Sequence, residues 1–142
     1  MKISLASDHG GYLLKEDIKN YLLEKGYEVM DWCTYSLESC DYPIFSREAS
    51  KLVSNGTCQY GIVVCTTGEG VCMTANKEHG IRCGLVYNED VARLTREHNN
   101  ANMMAIGAKF TSKEQALKYV DIFLNTEFLG GRHLRRVELI EK

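Results

Sequence analysis

The chain has 142 residues, 44% of them hydrophobic and 25% charged, the composition of an ordinary globular domain with one core rather than two. A domain of this length buries roughly 68–70% of the surface its unfolded chain exposes, so disulfide-stapled, metal-stapled and disordered classes are excluded. Lys and Arg number 17 against 19 Asp and Glu, for a formal net charge of −2; no overall positive field exists to hold nucleic acid or an anionic membrane.

The first predicted strand, residues 2–6, starts almost at once, with no apolar signal-peptide stretch before it. No later run is long enough to span a bilayer, so a cytosolic location is expected. Leu14, Ile18, Tyr21 and Leu22 then form one apolar helical stripe. A second strand is predicted over 27–32, followed by a helix with Pro43 in its first turn and Ala49, Leu52 and Val53 on its inner face. Strand three spans 61–65 and strand four 81–86; both read as continuous apolar runs, Ile62-Val63-Val64 being the clearest, as strands covered on both faces would be. A helix from Val71 lies between them. Asn88, with Glu89 and Asp90 after it, caps a helix carrying Val91, Ala92 and Leu94, and strand five spans 103–106. Ser112 and Gln115 form a capping box ahead of Ala116, Leu117, Val120 and Leu124. A last helix is expected near 133–141. The alternation predicts one domain: a three-layer α/β/α sandwich around a five-stranded parallel sheet, Rossmann-like, with right-handed crossovers.

In such folds ligands bind at the carboxyl ends of the strands. Strand one ends in Ser7-Asp8-His9-Gly10-Gly11, where Asp8 and His9 either bind hydroxyls and an anion or serve only as loop caps. Strand three runs into Cys65-Thr66-Thr67-Gly68-Glu69-Gly70, whose glycines let backbone N–H groups converge on an oxyanion at a helix entrance. A Walker loop would need Gly-Lys-Ser/Thr here, and a phosphatase loop would need Arg where Val71 stands; neither fits. Cys65 reads as a small buried hydrophobe or, at a strand tip beside that nest, as a base or nucleophile. The six cysteines include no CxxC pair, so neither a zinc knuckle nor a redox dithiol is drawn, and Cys58 and Cys72 read as packing or surface residues. Arg93 and Arg96 complement the end of the fourth helix. His98 and Asn99 follow it, His98 being a candidate general acid, whereas His79 reads as a surface residue. Arg132 and Arg136, four apart on the last helix, share a face and can fork onto one phosphate, with Gly130-Gly131 allowing close approach.

Together these residues resemble the type B ribose-5-phosphate isomerase family, which includes galactose-6-phosphate and allose-6-phosphate isomerases. The resemblance runs through Ser7-Asp8-His9-Gly10-Gly11, Asp41-Tyr42-Pro43, Cys65-x-Thr67-Gly68-x-Gly70, Ala75-Asn76-Lys77, Gly80-Ile81-Arg82, His98-Asn99-Asn100-Ala101-Asn102 and Gly130-Gly131-Arg132-His133 with Arg136. It implies an aldose-ketose isomerase of a sugar phosphate, without metal or organic cofactor. It further implies that Cys65 is the base between C1 and C2, that Thr67 assists, and that the 68–70 amides hold the enediolate. By the same resemblance His98 opens the ring with Asp8 near it, His9, Arg132 and Arg136 hold the phosphate, and Asn99 holds a hydroxyl. The family forms dimers or tetramers in which a neighbouring subunit completes each pocket.

Three positions depart from the family pattern and bear on substrate preference. Thr66 stands where glycine is usual, Glu69 puts a carboxylate between the two glycines beside the substrate, and Lys109 replaces a common arginine, turning a forked phosphate contact into a point charge. His9 and the 130–136 motif favour ribose 5-phosphate over galactose 6-phosphate. A hexose 6-phosphate such as allose 6-phosphate is the alternative substrate. A non-catalytic domain that binds a phosphorylated ligand is the other reading, and it has no need of Cys65.

Overall fold

Residues 1–33 and 37–142 are described by a computed structural model of the chain. Each expected strand is present: β1 (Lys2–Ser7), β2 (Glu28–Asp31), β3 (Tyr60–Cys65), β4 (Cys83–Leu85) and β5 (Met103–Gly107). They pair only in parallel, in the order β2-β1-β3-β5-β4. Helices α1 (Tyr12–Glu24), α2 (Tyr42–Ser54), α3 (Glu69–Ala75) and α4 (Glu89–Glu97) make the crossovers, and α5 (Lys113–Leu124) and α6 (Arg132–Ile140) follow β5.

The pairing register explains the layers. Leu5, Ile62 and Met104 stand side by side across β1, β3 and β5, as do Ala6, Val63 and Ala105 one residue on. Successive side chains on a strand point to opposite faces. The first row therefore packs with Ile3, Val64 and Ile106 beneath α1, α4 and α5, where Ile18, Ala92, Val120 and Phe123 are buried. The second packs with Cys65 and Met103 beneath α2 and α3, where Ala49, Val53, Val71 and Ala75 are buried. Both faces are covered, which is why β3 and β5 carry continuous apolar runs, while the buried Ser4 of β1 donates its hydroxyl to the Ala49 carbonyl at 3.0 Å. The expected caps are also present: Pro43 in the first turn of α2, the Asn88 side chain on the Val91 N–H, and a full Ser112–Gln115 capping box. No helix among the described residues is long and apolar enough to cross a membrane.

Two expectations are corrected. Strand four is not a fully covered run: β4 has three residues, sits at the sheet edge, and leaves Gly84 and Leu85 half-buried. Both of its faces are nonetheless packed: Cys83 and Leu85 lie on the α2 and α3 side, and a Cβ on Gly84 would meet Thr95 of α4 at 2.3 Å. Arg96, expected only to complement the helix end, is instead a core residue. It is 5% exposed, and with Ala92 and Thr95 it forms the buried stripe of α4 in place of Val91 and Leu94. Its guanidinium lies 5.0 Å from the Tyr60 ring centre and 5.8 Å from that of Phe123. It donates to the Ala101 carbonyl at 2.6 Å, Asn100 Oδ1 at 2.9 Å and the Thr126 carbonyl at 3.1 Å. Burial lowers its pKa, and these carbonyls and ring faces compensate the buried charge. Arg96→Leu strips at least two carbonyls of their donor, at ~1–3 kcal/mol each. Urea unfolding is expected to show a loss on the order of 3 kcal/mol.

Candidate active site

Asp8, His9, Cys65 and Lys109 all follow the carboxyl ends of the three central strands, and the loops there are fixed by close backbone approaches. Asp8 is 6% exposed; its carboxylate accepts from the Gly11 N–H at 3.0 Å, capping a short 3-10 turn, His9–Gly11. His9 Nδ1 accepts from the Cys40 N–H at 3.2 Å, which fastens the start of this loop to the approach to α2. A Cβ on Gly11 would lie 2.5 Å from the Val64 carbonyl oxygen, so the β1 loop can rest on β3 only as glycine.

Cys65 is the last residue of β3, 5% exposed, and its Sγ accepts a hydrogen bond from the Gly68 N–H at 3.2 Å. Gly68 has φ +80°, and a Cβ there would lie 2.9 Å from the Gly107 nitrogen. The tight return of the loop onto β5 therefore requires glycine. Thr67 Oγ1 accepts from the Glu69 N–H at 3.2 Å. Gly70 leaves room for the Tyr42 ring, which a Cβ would meet at 2.5 Å. The sequence gives Tyr42 no role beyond its place in Asp41-Tyr42-Pro43, because its position over Gly70 depends on packing between α2 and α3.

The three departures are accommodated. Thr66 does not adopt a left-handed backbone, since Asn100 is the one non-glycine residue with positive φ among those described. Its Oγ1 fills the space above Gly10, where a Cβ would stand 2.2 Å away. Glu69 is exposed in the first turn of α3, a position that favours a carboxylate. Exposed Lys109 lines a cavity of about 320 Å³ with Gly10, Thr66 and Lys113, and its N–H donates to the Thr66 carbonyl at 3.0 Å.

A second cluster forms elsewhere. His98 follows α4, and its ring stacks on that of His133 in α6, with centres 4.3 Å apart and 15° between planes. The Leu129 N–H donates to the Glu97 carbonyl at 3.1 Å, seating the entrance of α6 against the end of α4. His98, Asn99, Arg132, His133 and Arg136 line one open cavity of about 390 Å³. Arg132 and Arg136 do share a face, Arg136 Nη1 donating to the Arg132 carbonyl at 3.1 Å. Desolvation and the neighbouring His98, Arg132 and Arg136 hold His133 below its ordinary range. The His98–His133 stack is absent from the sequence reading, because it is a contact between residues far apart in the chain.

The two clusters do not meet within one chain. Because α4 runs back along the sheet, its end lies at the amino edge, where β5 begins, while Cys65 and Gly107 pair at the carboxyl edge. The five residues of β5 between them span roughly 16 Å.

A doubly wound parallel sheet with a thiol, glycine amides and a capped carboxylate at its strand tips is the architecture of an enzyme acting on a small molecule. The chain belongs to the family described as Ribose/Galactose Isomerase, whose sequence model matches residues 3–140. It is 40% identical over 139 residues to ribose-5-phosphate isomerase B of Escherichia coli (strain K12), covering 98% of this chain and 93% of that protein. Ribose-5-phosphate isomerase B of Clostridium thermocellum is similar in structure, with a TM-score of 0.98 at 47% identity, over 99% of this chain and 95% of that one. The Mycoplasma genitalium enzyme with bound ribulose 5-phosphate gives a TM-score of 0.95 at 39% identity, over 99% and 93% of the two chains.

Proposed function

We propose that the whole chain is one isomerase domain that interconverts ribose 5-phosphate and ribulose 5-phosphate through an enediolate. The observation that carries this reading is the Cys65 sulfur at the end of β3, 3.2 Å from the Gly68 N–H, in a chain of this family. His98 of a neighbouring subunit donates a proton to the ring oxygen and opens the sugar, with Asp8 nearby. Cys65 then removes the proton at C2 and returns it at C1. The developing enediolate oxygen is held by the 68–70 amides, with Thr67 assisting, since backbone donors stabilise charge that develops in the transition state. His9, Lys109, Arg132 and Arg136 take the phosphate, Asn99 takes a hydroxyl, and Thr66 and Glu69 line the substrate. No metal or organic cofactor takes part. The separation of the two clusters supports a homodimer or tetramer in which each pocket draws on two chains. Cytoplasmic location is part of the reading.

The direct test is isomerisation by the purified protein of ribose 5-phosphate against allose 6-phosphate and galactose 6-phosphate, with ribose 5-phosphate expected to give the highest kcat/KM. No turnover of any of the three would overturn the reading. Arg132→Ala and Arg136→Ala are each expected to raise KM for ribose 5-phosphate, the lost charge-assisted contact being worth about 1.5–3 kcal/mol. Unphosphorylated ribose should be nearly indifferent to either change. Equal damage to both substrates would make the arginines structural.

A further inference from the structure

Arg82 belongs to a motif the reaction above leaves without a task, and its surroundings give it one. It enters β4 at the amino edge of the sheet. Its Nε donates to the Asn99 and Asn100 carbonyls, both at 3.1 Å, and its Nη2 to the Asn100 carbonyl at 2.9 Å. Its Nη1 pairs with the Glu141 carboxylate at the end of α6. Arg82 is itself held: its N–H donates to Asn102 Oδ1 at 2.8 Å, and Asn102 Nδ2 donates to the Gly80 carbonyl at 2.9 Å. The turn it grips contains Asn100 at φ +47°, a left-handed conformation that asparagine adopts more readily than other non-glycine residues. Arg96 grips the same turn from the core side, through Asn100 Oδ1 and the Ala101 carbonyl. Arg82 does not line the cavity shared by His98, Asn99, Arg132 and Arg136.

We propose that Arg82 is a positioning residue, whose forked guanidinium registers the His98–Asn99 end of α4 against α6 and so orients the ring-opening acid and the phosphate arginines together. This rests on the function proposed above. The planar fork explains why arginine is needed: it spans two adjacent carbonyls and a carboxylate at once, which the single point of an ammonium does not.

The experiment compares Arg82→Lys, Arg82→Ala and Glu141→Gln with the wild type in steady-state kinetics on ribose 5-phosphate and in backbone amide hydrogen exchange, His98→Ala serving as the reference for loss of the acid. Glu141→Gln weakens only the tie to α6, by removing the charge of that pairing, so KM should rise about threefold or more with kcat within about twofold. Arg82→Lys keeps the charge for Glu141 but loses the carbonyl fork, so kcat should fall roughly tenfold with KM nearly unchanged, misplacement of a catalytic group being that costly. Arg82→Ala should show both defects. The Asn100 and Ala101 amides should exchange faster in both Arg82 variants and at the wild-type rate in Glu141→Gln. Folded Arg82 variants with wild-type kcat and KM would overturn the proposal. So would variants that lose only thermal stability or active fraction, with kcat per active site and KM intact. A wild type that does not isomerise ribose 5-phosphate overturns the functional reading and the catalytic part of this proposal with it. The exchange rates, which need no turnover, show separately whether the clamp itself exists.

Discussion

Cys65→Ala is expected to lower kcat for ribose 5-phosphate by about 10²–10⁴-fold, the usual cost of removing a general base, while KM stays near the wild-type value. The two effects separate because the groups assigned to phosphate and hydroxyl binding lie on other elements: His9 after β1, Lys109 after β5, Asn99 after α4, and Arg132 and Arg136 on α6. Cys65 is buried and its sulfur accepts the Gly68 N–H, so alanine also removes an acceptor from the loop. Cys65→Ser keeps an acceptor there and should be nearly as inactive, since a hydroxyl is far too weak an acid to serve as the resting base. The measurement is steady-state isomerisation, with circular dichroism to show that both variants fold. Turnover near wild type in either folded variant would remove Cys65 from the chemistry and favour a domain that binds without catalysing.

The parts of this architecture visible in the sequence are those carried by local signals. The sheet is legible because Ile62-Val63-Val64 and its counterparts are short, apolar and bounded by caps, and the Asn88 and Ser112 starts are single-turn events that need no knowledge of tertiary structure. The strand tips bearing Asp8 and Cys65 follow from that alternation alone. The misreadings have one cause in common. Whether 81–86 is a central or an edge strand depends on the β3-to-β5 pairing that displaces it, and nothing in its own residues reports that. Arg96 reads only as a complement to its helix end because its partners, the Thr126 carbonyl and the Tyr60 and Phe123 rings, come from three other parts of the chain. The same holds for His133 on His98 and Tyr42 over Gly70. The buried Lys15 on the inner face of α1 is another case: its charge is balanced by Asp31 of β2 at 2.9 Å, a partner set by the β1–β2 register. The proposed pairing of the two functional clusters lies one level further out, in contacts between chains.

That last level gives the other large effect. Cys65→Ala and His98→Ala, each nearly inactive alone, are expected to regain activity when mixed, because the two altered groups lie at opposite edges of one sheet and the proposed pocket takes one cluster from each chain. In a mixed dimer, one pocket then combines Cys65→Ala with His98→Ala, and the other combines wild-type Cys65 with wild-type His98. The second pocket is intact, so the ceiling is about half the wild-type activity per mixed dimer, in keeping with a two-fold interface that repeats each contact. Dimers bury large apolar interfaces and exchange slowly, so subunits need to be mixed by unfolding and refolding together. Random mixing makes half of the dimers mixed, which sets an expected yield of roughly a quarter of wild-type activity in the whole sample. Each variant refolded alone supplies the baseline, and differently tagged subunits show that mixed dimers form. Mixed dimers without activity above that baseline would mean that each chain completes its own site, and α4 and α6 would then have to move toward β3 through the length of β5.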